Sequence, residues 1–174
     1  PVYLEAAQML LQSDFPAEFI MATAPLVDLS VVKQVLNAWD VPVTVLTGAA
    51  YDVMSSSDVI YVASGTATLE AAVFGVPMII TYKTGAITYL VGKSVMNVDW
   101  IGLPNIIANA EVVPELLQEN CKPEYMASLT ANMLSNEEAL TEMREHLAEV
   151  AETLGGAGAS KRAAAEVLSA IRAD

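Results

Sequence analysis

Residues 61–72 read YVASGTATLEAA, and this stretch predicts a strand, a tight turn of small residues and then a helix. The short run of β-forming apolar residues over 59–62 is typical of a strand buried on both faces. The turn Ser64-Gly65-Thr66 combines hydroxyl groups with a glycine, and Thr66 or Ser64 can cap the helix that follows. Such a turn leaves backbone N–H groups free at a helix start, an arrangement that binds phosphate and other anions.

Glu70 adds a second ligand-binding group to this stretch. It lies in the first turn of the predicted helix, one residue beyond the position that a capping box would use. Its carboxylate can accept two hydrogen bonds from a diol such as a ribose. The alternative is that Glu70 only complements the helix dipole, and its position alone does not separate the two interpretations.

The rest of the first 110 residues alternates helices with strands. Strands are predicted at 18–24, 41–45, 59–62 and 77–82, and helices at 1–13, from Asp28 or Ser30, around 51–54, at 66–74 and at 85–96. This order predicts an α/β, Rossmann-like fold, a parallel sheet with helices on both faces. Ligands of such sheets bind at the carboxyl ends of the strands, where polar or small residues stand in three places: Thr47-Gly48, Ser64-Gly65-Thr66 and Tyr82-Lys83.

The remaining residues predict a loop and then a helical end. Residues 103–107 are expected to form a loop that closes toward the pocket, with Asn105 contacting the ligand or using its side chain locally. Helices are predicted near 112–118, 123–134, 136–153 and 160–172. Residues 1–110 are therefore assigned to a Rossmann-like core with a ligand pocket, which the family resemblance given below implies is a nucleotide-sugar (UDP) binding core. Residues 111–174 are assigned to a helical segment that packs on this core or on a partner domain.

The composition excludes several classes of function. The net charge is −13 and the acidic residues are spread along the chain, which argues against a surface that follows nucleic-acid phosphates. No apolar run approaches the roughly 20 residues of a membrane span. We expect no signal peptide, because no basic segment stands before an apolar one at the start of the sequence. No acidic cluster suggests a magnesium site, and no pair of carboxylates is placed for acid–base catalysis. Cys121 is the single cysteine, so a Cys–His nucleophile would need His146, which lies in a charged helical segment.

Three blocks of the sequence resemble one family. Residues 63–72 followed by 74–78 (FGVPM) are similar to the donor-site segment of the lipid-A-disaccharide synthases, two-domain glycosyltransferases of the GT-B type. Residues 103–108 (LPNIIA) and 113–118 (VPELLQ) match two further family blocks in the same order. The resemblance covers only the C-terminal half of the family. Because Pro1 already lies in a helical pattern, we expect the chain to be part of a longer protein.

The resemblance implies an activity and a set of contacts. The family transfers 2,3-diacylglucosamine from its UDP donor to 2,3-diacylglucosamine 1-phosphate with inversion and without a cofactor or metal. We expect a cytoplasmic location, and peripheral contact with the inner face of the inner membrane is compatible with the resemblance. The family's general base and a phosphate loop lie before the region matched, so we expect this chain to bind UDP weakly and to transfer nothing alone. A homodimer is compatible with the sequence. The implied contacts are Ser64, Gly65, Thr66 and Glu70 with diphosphate and ribose, and Asn105 with the donor end of the cleft. From their position at a strand end, we expect Thr47 and Gly48 to contact the base or its ribose. Tyr82 and Lys83 are expected to contact the sugar or its acyl chains.

Two other interpretations stay open at the level of sequence. One is another UDP-sugar glycosyltransferase, or a UDP-sugar epimerase, with the same nucleotide-binding half. The other is a non-catalytic interaction module whose acidic helices dock a basic partner, because glutamates such as Glu138 and Glu142 place like charges on one helix face.

Overall fold

The computed structural model describes residues 1–83 and 99–172. Within these residues the helices and strands, labelled in chain order, are α1 Val2–Gln12, β1 Phe19–Thr23, α2 Leu29–Leu36, β2 Val43–Thr47, α3 Ala50–Ser56, β3 Ile60–Ala63, α4 Ala67–Val73, β4 Met78–Tyr82, α5 Leu103–Ala108, β5 Glu115–Leu117, a short 3-10 helix Gln118–Asn120, α6 Pro123–Leu134, α7 Glu137–Thr153 and α8 Ala159–Arg172. The helix predicted over 85–96 lies outside the described residues.

The five strands form two parallel sheets. One sheet pairs β1 with β2, and the other has the order β3-β4-β5. One residue pair from each ladder fixes the register: Met21 opposite Val45, Tyr61 opposite Ile79, and Thr81 opposite Leu116. Since every pairing is parallel and helices connect successive strands, the predicted α/β class is confirmed.

Helices cover both faces of the three-stranded sheet, as predicted. Neighbouring residues of the central strand β4 point to opposite sides, so each face contributes apolar side chains to a buried cluster. Ile79 contributes to a first buried cluster with residues of α1 and α6, which comprises Ala6, Leu10, Ile79, Leu116, Cys121, Met126, Ala127, Met133 and Leu140. Met78 and Ile80 contribute to a second cluster with α4 on the other face, which comprises Val62, Ala71, Ala72, Val76, Met78, Ile80, Val113, Leu147 and Val150.

Helix α7 packs against both clusters. Leu140 near its start belongs to the first cluster, whereas Leu147 and Val150 near its end belong to the second. Met143 lies between them and contacts both clusters. One helix of 17 residues therefore joins the cores on the two faces of the sheet.

Aromatic side chains are among the contacts between the two-stranded sheet, with its helices, and this body. Phe19 of β1 packs against the first cluster together with Tyr61 of β3. On α3, the ring of Tyr51 lies 5.4 Å from the ring of Phe74 at the end of α4. Helix α2, which Asp28 caps by accepting a 2.8 Å hydrogen bond from the N–H of Ser30, buries none of its residues. The hydrogen bonds from Ser30 also lower the pKa of Asp28.

Two of the predicted elements were wrong. Residues 103–108 form a short helix instead of a loop, because Pro104 occupies the first turn, where its missing N–H costs nothing. Residues 115–117 form a strand instead of a helix, because their backbone pairs with β4. Consequently residue 110 does not mark a break in the structure: β5 completes the sheet, and α6 and α7 pack on its faces. Among the described residues, no helix combines the length and hydropathy of a transmembrane span.

Candidate functional site

The turn after β3 presents backbone donors to open space. Ser64 is still tied to the sheet, since its N–H lies 3.4 Å from the carbonyl oxygen of Thr81. Gly65 and Thr66 are exposed, and their N–H groups meet no acceptor among the described residues. The hydroxyl group of Thr66 makes no capping bond, and a Cβ atom added to Gly65 would meet nothing within 4 Å. The turn therefore keeps two N–H groups and one hydroxyl available to an anion.

Thr68 fixes the Gly65 carbonyl of this turn by two hydrogen bonds, a role that the sequence did not reveal. Its buried hydroxyl donates to the carbonyl of Gly65 over 2.6 Å, and its N–H donates to the same oxygen over 3.1 Å. These bonds hold the Gly65 carbonyl against the start of α4. Because α4 has only seven residues, its dipole is small, and the donors of the turn itself are the main attraction for an anion.

Ser64 has a different partner from the one predicted. Its hydroxyl donates to the carbonyl oxygen of Ile101 over 2.9 Å, across 37 residues of sequence. In this arrangement its proton is used within the protein and is not offered to a diphosphate. Ser64 therefore joins the turn to the segment that precedes α5.

The segment before α5 is held by the carboxylate of Glu115. Oε2 of Glu115 accepts from the N–H of Ile101 over 3.0 Å, and Oε1 accepts from the N–H of Gly102 over 2.8 Å. A Cβ atom at Gly102 would lie 2.8 Å from Oε1 of Glu115 and would collide with the side chain of Ile80. The absence of a side chain at Gly102 thus lets the backbone approach the carboxylate.

Asn105 is buried within this same network. Its Nδ2 donates to the carbonyl of Val113 and to Oε1 of Glu115, both over 2.8 Å. Its Oδ1 accepts from the N–H groups of Val112 and Val113, over 2.8 and 3.0 Å. Since its side chain has no exposed surface and bonds only to protein, this geometry does not support the predicted contact with the donor. Asn105 instead fixes the segment around Gly102 to the segment that enters β5.

The other predicted residues of the pocket lie on the surface. Glu70 is exposed in the first turn of α4, and its carboxylate makes no hydrogen bond or ion pair with any described residue. Tyr82 and Lys83 are exposed at the end of β4, next to β3, where Ala63 lies opposite Thr81. The free carboxylate and the turn therefore belong to one end of the three-stranded sheet.

Thr47 and Gly48 lie at the end of the other sheet. The hydroxyl oxygen of Thr47 is 3.1 Å from that of Thr23, and the N–H of Gly48 donates to the carbonyl of Thr23 over 2.8 Å. Gly48 adopts a left-handed backbone with φ of 72°, which glycine favours. The hydrogen bonds of these two residues join β2 to β1, and none among the described residues joins them to the Ser64 turn.

Cys121 is buried, and the structure gives it no catalytic partner. Its thiol donates to the carbonyl of Leu116 over 3.2 Å, and burial raises its pKa, which opposes formation of a thiolate. Its described hydrogen bond does not involve His146, which is half-buried on α7. Across residues 1–83 and 99–172, no three His, Cys, Asp or Glu side chains are close enough to share a metal ion.

The model of one protein family, described as lipid-A-disaccharide synthetase, matches residues 4–170. The chain belongs to this family. Curated members include a lipid-A-disaccharide synthase of Syntrophus aciditrophicus, 38% identical over 99% of this chain and 45% of that protein. A second, from Geobacter sulfurreducens, is 40% identical over 98% of this chain and 44% of its own length. The chain thus spans less than half the length of these relatives.

The three blocks that resemble the lipid-A-disaccharide synthetase family meet in space. Ser64 of the first block bonds to Ile101, just before the second block, and Asn105 of the second block bonds to Glu115 of the third. Glu115 completes the connection through the N–H of Ile101. Residues that are separated along the sequence therefore form one hydrogen-bonded network beneath the exposed turn of this family member.

Proposed function

We propose that this chain is the donor-binding part of a lipid-A-disaccharide synthase. The full protein would transfer 2,3-diacylglucosamine from UDP-2,3-diacylglucosamine to 2,3-diacylglucosamine 1-phosphate. The products would be lipid A disaccharide 1-phosphate and UDP, and the reaction would take place at the inner face of the cytoplasmic membrane. The observation that carries the proposal is the exposed Ser64-Gly65-Thr66 turn, with two N–H groups that no described residue accepts, in a chain of this family.

The chemistry of the turn suits a diphosphate. The N–H groups of Gly65 and Thr66, with the Thr66 hydroxyl, would donate charge-assisted hydrogen bonds to the phosphate oxygens. The same donors would stabilise the negative charge that develops on UDP as it leaves. The unpaired carboxylate of Glu70 would accept from the two ribose hydroxyls.

The outer contacts complete the proposed donor site. Tyr82 and Lys83, exposed at the end of the strand beside the turn, are suited to contact the sugar or its acyl chains. Thr47 and Gly48 would contact the nucleoside only if the end of the other sheet lies along the same cleft. We assign the general base to the part of the protein that this chain does not include, and so expect no turnover from the chain alone.

The family match separates this proposal from the alternatives. A UDP-sugar epimerase or an acidic docking module would not be expected to match the lipid-A-disaccharide synthetase model from residue 4 to residue 170. With this family match, the acidic residues on the surface of α7 do not have to be explained by a basic binding partner. The one described ion pair of α7, Arg144 with Glu137, is exposed, as is usual for a solvated helix face.

Replacing Glu70 by Ala should weaken UDP binding by roughly tenfold or more. Loss of a hydrogen-bond acceptor that carries charge removes about 1.5–3 kcal/mol of binding free energy. Titration calorimetry of UDP into the chain and into Glu70→Ala measures this difference, and Glu70→Gln tests whether the charge itself matters.

Glu145→Ala is the matched control for this titration, because Glu145 is also an exposed glutamate on a helix, but on α7. It should leave the UDP affinity unchanged. Equal affinities for the wild-type chain and Glu70→Ala would remove Glu70 from the site. A chain that binds no UDP at millimolar concentrations would contradict the assignment of the donor site to this turn.

UDP affinity should not change when divalent cations are removed. The proposed contacts to the diphosphate are N–H and O–H donors, which need no bridging cation. The same titration, performed with EDTA and then with an excess of Mg²⁺, tests this expectation. A large gain in affinity with Mg²⁺ would show that a metal takes part in holding the diphosphate.

A further inference from the structure

We propose that Glu115 is the residue that positions the Ser64-Gly65-Thr66 turn for its ligand. The inference rests on the proposed donor site, and it assigns a role to the block 113–118, which supplies none of the proposed contacts to the ligand. Glu115 lies in β5, two strands away from the turn in the sheet, and reaches it through the segment before α5.

The first step of the connection is the carboxylate itself. Three N–H donors converge on it: the backbone N–H groups of Ile101 and Gly102, at 3.0 and 2.8 Å, and Nδ2 of Asn105 at 2.8 Å. A carboxylate that accepts this many hydrogen bonds fixes the orientation of every donor. An amide in its place would keep one oxygen and turn an NH₂ group toward at least one of these donors.

The second step is the peptide group that follows. With the N–H of Ile101 held by Glu115, the carbonyl of the same residue is directed to the hydroxyl of Ser64 over 2.9 Å. Among the described residues, the other hydrogen bond of Ser64 to the sheet is a long one, 3.4 Å, from its N–H to the carbonyl of Thr81. The shorter bond, from the Ser64 hydroxyl to the Ile101 carbonyl, is therefore the stronger restraint on Ser64. Ser64 directly precedes Gly65 and Thr66, whose N–H groups are the free donors.

The chain offers little space for any other arrangement. Gly102 is buried, and its Cα lies so close to the carboxylate that an added Cβ would stand 2.8 Å from Oε1 of Glu115. Asn105 closes the other side with four hydrogen bonds of its own. Glu115 is thus confined to one position, and the position of the turn depends on it.

The test begins without any ligand, so that its result does not depend on the proposed function. Amide ¹H–¹⁵N spectra of the whole chain are compared for the wild type, Glu115→Gln and the charge-matched control Glu145→Gln. We expect Glu115→Gln, and not the control, to shift the amide signals of Gly65 and Thr66. The shift should be lost when Glu115→Gln is introduced into Ser64→Ala, because that variant lacks the connecting hydroxyl.

The second readout is a double-mutant cycle on UDP affinity. Ser64→Ala and Glu115→Gln should each weaken binding about three- to tenfold, the effect of losing one hydrogen bond. The double variant should bind about as weakly as the weaker single variant, because both changes break the same connection. Thermal unfolding of each variant separates this effect from a general loss of stability.

The possible results are distinct. Signals of Gly65 and Thr66 that do not move in Glu115→Gln, or that move equally in the Ser64→Ala background, would overturn the proposal whether or not UDP binds. Fully additive effects on UDP affinity would also overturn it. If the wild type shows the spectral coupling but binds no UDP, the proposed function fails and the positioning of the turn by Glu115 stands.

If Glu115→Gln does not fold, Ser64→Ala decides the question: shifted amides of Ile101 and Gly102 support the connection, and unshifted amides refute it.

Discussion

Replacing Asn105 by Ala should lower the free energy of unfolding by about 3 kcal/mol, with no ligand present. The side chain has no exposed surface, and its removal takes away the partners of the N–H and the carbonyl of Val113. It also removes one of the two hydrogen bonds of the Val112 N–H and one of the two at Oε1 of Glu115. Each buried group left unsatisfied costs about 1–3 kcal/mol, although water entering the space would recover part of this. Urea unfolding followed by circular dichroism measures the change.

Asn132→Ala provides the comparison for Asn105. Asn132 is exposed in the last turn of α6, where Ala is a better helix former, so this change should be neutral or stabilise by about 0.5 kcal/mol. An unfolding midpoint of Asn105→Ala equal to that of the wild type would mean that the network around Glu115 does not contribute to stability. That result would instead favour the prediction from the sequence that Asn105 contacts the ligand.

Ile79→Ala should have a comparable or larger effect, with a loss of about 2–5 kcal/mol. Ile79 lies on the central strand β4 with no exposed surface, and it contacts the first cluster, which α1 and α6 cover. Truncation removes buried apolar surface and leaves a cavity that a central strand cannot close by moving. The expected result is a lower midpoint in urea with a similar dependence on denaturant concentration.

Ile171→Ala is the matched control, since Ile171 on α8 is 67% exposed. Its change should stay within about 0.5 kcal/mol, as for most surface substitutions. Similar losses for the two isoleucines would contradict the packing of β4 between its two helical layers.

The sequence predicted the alternation of elements well because local signals govern it. Strands β1, β3 and β4 and helices α6 and α7 lie within one or two residues of their predicted bounds. Strand β2 begins two residues later than predicted, after Pro42 instead of around it. Each of these elements carries its own pattern of apolar residues, so tertiary contacts confirm a preference that already exists.

The errors occurred where the local pattern and the tertiary structure disagree. The residues of β5, Glu115-Leu116-Leu117, are good helix formers, but the open edge of β4 pairs with them as a strand. For the same reason no local pattern reveals that Ser64 bonds to Ile101, or that Asn105 is enclosed. These partners lie 37 and 7–10 residues away along the chain, and only the folded structure brings them together.

The position of α7 has a consequence for how the chain loses its structure. Because Met143 contacts the clusters on both faces of the sheet, neither layer of helices can separate without disturbing the other. A helix shared in this way links the two cores thermodynamically, so that the three-stranded sheet and its covering helices behave as one cooperative unit. The exposed turn that carries the free N–H groups joins β3 to α4 of this unit, so we expect its geometry to be lost when the unit unfolds.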